Sequence, residues 1–267
     1  MPNLKHLAFA FFLFVITHSV YSQFGFSNEL GIIAGPVQFR SDFGSRTDSD
    51  TNKGNMGVGI GIIQYVNFSY RKNYSYRFKE TFFIEHFKVR NEISWNRTEL
   101  NHFGRWVDPS KTSEDAKRLR GHTGVAKNID IGTQLEFYPY SIRGFESFTP
   151  LISPFASVGV HYTFYSPEVS TTYQNSNAAA IGDVNDASNF YSLWDPGSVD
   201  ASSGGAFSLV SSVGIRYKVG KLSDLMLDLR WQYYFKDTID GLDHQLDSNK
   251  YNDWLLWLNV GYIFYLD

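Results

Sequence analysis

Hydrophobic and polar residues alternate with a period of two along most of this chain. In Leu225–Phe235 one face reads Leu225, Leu227, Leu229, Trp231, Tyr233 and Phe235; the other reads Met226, Asp228, Arg230, Gln232 and Tyr234. Such strict alternation is the signature of a β-strand with one apolar and one polar face. Phe87, Val89, Ile93 and Trp95 likewise oppose Lys88, Arg90, Glu92, Ser94 and Asn96. Ile129, Ile131, Leu135 and Phe137 oppose Asp130, Gly132, Gln134 and Glu136. Phe207, Leu209, Val213, Ile215 and Tyr217 oppose Ser208, Ser212, Gly214, Arg216 and Lys218. In another segment Val58, Ile60, Ile62, Val66 and Phe68 oppose Gly57, Gly59 and Gly61. Eight strands are predicted in all, at about Phe26–Phe39, Asn55–Tyr70, Phe83–Phe103, Lys127–Pro139, Pro154–Ser166, Ala206–Val219, Asp224–Phe235 and Tyr251–Leu266. The first and last are apolar on parts of both faces.

Alternation alone does not say which solvent the apolar face meets. In a soluble sandwich it faces a core; in an outer-membrane barrel it faces lipid, and the polar face fills the lumen. The connections separate the two cases. Those after strands one, three, five and seven are long, at about Arg40–Gly54, Gly104–Ala126, Pro167–Gly205 and Lys236–Lys250. The one after strand six, Gly220–Ser223, is a tight turn. Long loops on one side and short turns on the other are the asymmetry of an outer-membrane barrel. Pro167–Gly205, rich in Ser, Asn, Ala, Asp and Gly, is expected to be mobile at its tip.

The N-terminus fits export. Lys5 and His6 precede the apolar run Leu7–Ile16, and Val20-Tyr21-Ser22 offers the small residues of a cleavage site. Residues 1–22 are read as a signal peptide and 23–267 as one outer-membrane barrel domain; a retained anchor is the alternative. No later apolar run approaches the length of a membrane helix. Aromatic residues make up 17% of the chain, led by Phe (23) and Tyr (17). Mean hydropathy is nevertheless −0.27, as expected where a polar lumen and loops dilute a lipid face. With no cysteine there is neither disulfide nor thiolate metal site. A net charge of −3 with mixed signs gives no reason to expect nucleic acid as a partner.

The fold class expected is therefore all-β: an eight-stranded antiparallel transmembrane barrel. Its lumen is about filled by side chains. Glu29, Arg90, Glu92, Asp130, Glu136, Arg216, Asp228 and Arg230 fall on polar faces and are predicted to form a lumenal ion-pair network. The carboxylates could also be read as an acid–base pair, but so narrow a lumen leaves little room for substrate. The basic aromatic segment Arg71–Lys79, on the predicted periplasmic side, has two readings. Arg71, Lys72, Tyr74, Tyr76, Arg77 and Lys79 could anchor at the membrane interface or form a periplasmic docking turn.

Other motifs carry less. His86, His102, His122, His161 and His244 have no metal-ligand spacing. His161 beside a serine could imitate a barrel-embedded lipid hydrolase, without a recognisable nucleophile. Asp48–Gly54 starts like a calcium loop but has its glycine one position late and Gly59 where a bidentate Glu is needed; Asp237, Asp240 and Asp243 make a second acidic loop. Gly57, Gly59 and Gly61 lack nucleotide-loop spacing and instead make room in a narrow lumen. Asn67, Asn73 and Asn96 begin sequons that carry no weight in a bacterial outer membrane. No enzyme activity, metal or cofactor is expected.

Several stretches resemble a family of small Bacteroidetes-type outer-membrane barrels. They are Glu29–Gly35, Leu135–Tyr138 followed by Phe148-Thr149-Pro150 and Pro154-Phe155, Val213–Lys218, and Asp228–Tyr233 leading to Thr238–Asp243. The family includes a barrel similar to the outer-membrane anchor of the type IX secretion machinery. The resemblance spans most of the mature chain. It implies the barrel fold, the outer-membrane location, lipid as a partner, and a structural or anchoring role accessory to protein secretion with a periplasmic protein partner. A narrow solute channel and a lipid-modifying barrel are the alternative roles.

Overall fold

The computed structural model describes residues 27–45, 48–68, 81–244, 246–247 and 251–266. The signal peptide read at 1–22 lies outside them. Nine strands form one antiparallel sheet: β1 (Ser27–Arg40), β2 (Met56–Asn67), β3 (Phe87–Asn101), β4 (His122–Phe137), β5 (Ile152–Tyr165), β6 (Glu168–Thr171), β7 (Gly204–Gly220), β8 (Ser223–Tyr234) and β9 (Trp254–Tyr265). Eight of them close a barrel. Each pairs with its chain neighbour, and β1 pairs with β9 from Glu29↔Tyr265 to Arg40↔Trp254. Closure leaves no strand edge unpaired at membrane depth, which lipid requires because it offers no hydrogen bonds. The short β6 extends the wall by pairing with the top of β4, from His122↔Thr171 to Val125↔Glu168.

The faces point as the alternation predicts. Leu227 (44% exposed), Leu229 (48%) and Trp231 (37%) face outward, while Asp228 and Arg230 between them are fully buried. Neighbouring strands continue the band: Val213 and Leu258 flank Leu229 in register, and both are exposed. A closed band of exposed Leu, Ile, Val, Phe and Tyr is unstable against water and stable against lipid. The fold is that of a transmembrane outer-membrane barrel.

Inside, the glycines of β2 make the expected room. Gly59 faces the lumen against the indole of Trp257 on β9, where any Cβ would collide with the ring. The loops after β1, β3, β6 and β8 crowd one mouth; the start of β1, the end of β9 and the β7–β8 turn lie at the other.

Three boundaries differ from expectation. Residues Thr81–His86 form a short helix, so β3 starts at Phe87 rather than Phe83. β4 begins at His122, and Glu114–Gly121 just before it is a helix capped by Ser113, whose side chain accepts the amide of Ala116. The span expected as an irregular loop at Pro167–Gly205 contains β6 and two 3-10 turns capped by Asn177 and Asp186. In each case a local cap or a ladder partner decided the boundary, and alternation reports neither. In order, the helices are α1 (Ser49–Asn52), α2 (Thr81–His86), α3 (Glu114–Gly121) and α4 (Ile142–Glu146).

If the outward face meets lipid, Leu229→Arg should destabilise the barrel by about 2–4 kcal/mol. Equilibrium urea unfolding from phospholipid vesicles measures this. No loss relative to Leu229→Ala would contradict a lipid-facing Leu229.

Candidate functional site: the filled lumen and its two mouths

The lumen is built by side chains of one parity on each strand; that inner face is mainly polar on β3, β4, β7 and β8, largely apolar on β1 and β9, and buried by closure. At the mouth that carries the β7–β8 turn, Arg216 Nη2 donates to Glu29 Oε2 (2.5 Å) and to Asp224 Oδ2 (2.7 Å). Lys88 donates to the other oxygen of Glu29 and lies 3.6 Å from Glu146. Lys218 is 3.2 Å from Asp224 and sits 3.8 Å above the Tyr265 ring. In the middle Arg90 binds three carboxylates: Glu92 (2.8 Å), Asp228 (2.9 Å) and Glu136 (3.3 Å). Arg230 donates to both oxygens of Glu92 (2.6 and 2.5 Å) and stacks on Trp257 at 4.8 Å. Burial of this kind is tolerable only with such pairing, since an isolated ion loses its hydration without replacement.

Of the residues expected in the network, Glu29, Arg90, Glu92, Glu136, Arg216, Asp228 and Arg230 are joined by ion pairs. Asp130 is buried with them but held by neutral donors instead: Thr163 (2.5 Å), Gln232 (2.8 Å) and Asn96 (3.1 Å). Lys88, Lys218 and Asp224 belong to the network and were not singled out, although they share parity with Arg90, Arg216 and Asp228. Tyr65 and Tyr138, whose hydroxyls donate to the two oxygens of Glu136, were missed too. A tyrosine at a strand end carries no sign of where its hydroxyl points. The proposed docking turn Arg71, Lys72, Tyr74, Tyr76, Arg77 and Lys79 lies outside the described residues.

Both mouths are stopped. At the mouth of the β7–β8 turn α4 turns inward, with Ile142 and Phe145 buried and the Phe145 ring beneath Arg216 and Lys218. Glu146 accepts from Asn67 Nδ2 (2.6 Å), tying α4 to β2. At the far end Phe39 stacks on Tyr234 (5.8 Å). Above them His102 and His122 share a hydrogen bond, Nε2 to Nδ1 at 2.8 Å. Phe43 stacks on both rings, and Phe190 and Trp194 from the long loop after β6 pack against His122.

The two histidines are far from random. They continue the β3–β4 register one step past Asn101↔Thr123, so the hairpin itself places them opposite each other. Ligand spacing along the chain could not reveal this; extrapolating the register could have. Burial, and then the neighbouring His244, hold His102 down at about 3. His161, by contrast, faces the lumen; it is fully buried and lies beside Gln134 (3.2 Å), away from lipid.

The two acidic loops behave differently. Asp48 caps α1 by accepting the amide of Asp50, and Asp50 pairs with Lys53 at the surface. Asp42, Asp237 and Asp243 bring carboxylate oxygens within 4.8 Å of one another. Asp240 instead accepts the amides of Asp42 (3.1 Å) and Leu242 (2.8 Å). The triplet offers the oxygen donors a hard cation takes, while Asp42 Oδ2 already accepts the amide of His244 (3.1 Å).

No family model and no curated protein matches the chain. Among solved structures it is similar to Neisserial surface protein A, with 12% identity over 90% of this chain and 98% of that one, at a TM-score of 0.44. A major outer membrane protein from Thermus thermophilus gives 14%, 90%, 99% and 0.46. OprG from Pseudomonas aeruginosa gives 11%, 90%, 94% and 0.40. At these identities the likeness concerns fold alone.

Two outcomes are expected. Glu92→Gln strips Arg230 and Arg90 of a shared partner and should cost about 3–5 kcal/mol; urea unfolding in vesicles reads it, and a loss below that of a surface Glu99→Gln would contradict the network. The second concerns pH. His102 binds its proton more weakly folded than unfolded, so the unfolded cap gains protons as pH falls below about 6.5. Burial holds His122 down as well, so cap stability should drop from pH 6.5 downward, by at most about 1.4 kcal/mol per unit for each of the two histidines; the solvent reaching the edge of His102 reduces its share. Limited proteolysis of the loops at this mouth should accelerate between pH 6.5 and 5, His102→Gln should make the profile shallower, and adding His122→Gln should flatten it.

Proposed function

We propose that this protein is a closed barrel of the outer membrane with a structural or anchoring role. In this reading it holds its extracellular loops on one side and offers its periplasmic rim to a protein partner on the other. One observation carries the reading: Arg90, Arg216 and Arg230 cross-link the lumen while fully buried. A solute path would have to break several of these pairs at once, and a pair broken inside a protein costs about 3–5 kcal/mol. The stopped mouths at α4 and at the His102–His122 pair support the same conclusion.

The role in protein secretion rests on the sequence resemblance to a secretion-machinery anchor. The lipid-hydrolase alternative loses support because His161 faces the lumen.

Two measurements test the proposal. Purified protein in planar bilayers should show no steady conductance. Crosslinking in intact envelopes, followed by mild detergent extraction, should recover a periplasmic protein. Steady single-channel currents would replace the anchor with a channel, and repeated failure to recover a partner would remove the anchoring role.

A further inference from the structure

The helix α2 does not plug the barrel; it leans on the outside of the wall. The Phe83 ring stacks on Phe87 (4.8 Å) and lies 5.7 Å from Phe68. Phe87 packs on Phe137 (5.2 Å). Phe68, Phe87 and Phe137 have outward parity, since Asn67, Lys88 and Glu136 beside them are buried in the lumen. His86 fixes the helix at the rim, its Nδ1 lying 2.6 Å from the backbone oxygen of Tyr138. Seated this way, α2 still shows Phe82 (62% exposed) and Phe83 (46%) to its surroundings.

We propose that α2 is an interfacial foot: Phe82 and Phe83 insert into the periplasmic leaflet, among the glycerol and upper acyl regions of phospholipids. The occupant follows from continuity. The outward rings under α2 extend the apolar band that meets lipid, so whatever covers the band at β2, β3 and β4 also covers the helix. Two neighbouring exposed phenylalanines in water would add an apolar patch with nothing to offset it. In the interface they bury about 5–10 Å deep, as amphipathic surface helices do. The foot grips one side of the barrel only, so it sets the depth and tilt of that side. The inference rests on the transmembrane fold and is independent of any anchoring role.

The absence of cysteine makes site-directed spin labelling clean. Phe82→Cys and Phe83→Cys would be labelled with a nitroxide in phosphatidylethanolamine–phosphatidylglycerol vesicles. Leu229→Cys serves as the lipid reference and Ser202→Cys as the water reference. The oxygen-to-nickel-chelate accessibility ratio at 82 and 83 should shift from the Ser202 value toward that of Leu229. A ratio at 82 equal to that of Ser202, with Leu229 still shielded from the chelate, would overturn the foot and leave the barrel standing. Chelate access at Leu229 itself would overturn both. Phe82 makes fewer wall contacts than Phe83, so the Phe82→Cys result stands even if the Phe83 variant folds poorly.

Discussion

The grip of Arg230 on Glu92, and of Arg90 on Glu92, Glu136 and Asp228, is the constraint on which the structure depends. Many apolar residues of the wall are turned to lipid, and those that face inward, such as Ile33, Val37, Leu255, Trp257 and Ile263, gather largely on β1 and β9. What holds opposite walls at a fixed distance is charge pairing across the lumen in a medium that screens little. The arrangement demands balance. Each guanidinium needs carboxylates in reach, and each carboxylate needs donors, or burial becomes a large penalty. Tyr65 and Tyr138 donate to Glu136, Thr163 and Gln232 donate to Asp130, and the Trp257 ring lies against the Arg230 guanidinium.

Closure makes this possible. Because β1 pairs with β9, residues far apart in the chain face one another: Arg90 and Asp228 are 138 positions apart, and Arg216 and Glu29 are 187 apart. A barrel of eight strands is narrow enough for one arginine to reach across it. The same narrowness explains Gly59, whose missing side chain lets the Trp257 ring lie in the lumen. Fill and width are thus two aspects of one geometry.

The ends follow different logic. At the mouth of the β7–β8 turn α4 folds inward and seals with Phe145 beneath cations. At the outer mouth loops from distant parts of the chain assemble an aromatic and imidazole cap around His122. Both seals draw on residues distant in the chain, and the second is the one built on histidines.

Sequence alone determined which residues face in and which face out. A period of two is a local property, and Leu229, Asp228 and Arg230 could be assigned from their neighbours. It also determined the parity of loop lengths, and with it the barrel. Only the tertiary structure decided who pairs with whom. Asp130 was expected among the ions and is held by neutral groups, because the donors that reach it come from β3, β5 and β8, and their relative height depends on the stagger of the closed sheet. His102 and His122 meet through the β3–β4 register rather than through any spacing in the chain. That Phe83 belongs to a helix outside the wall was equally hidden, because an apolar run reads the same whether its rings belong to a strand or lie over one. Alternation reports the face of a strand; distances across a barrel depend on every strand at once.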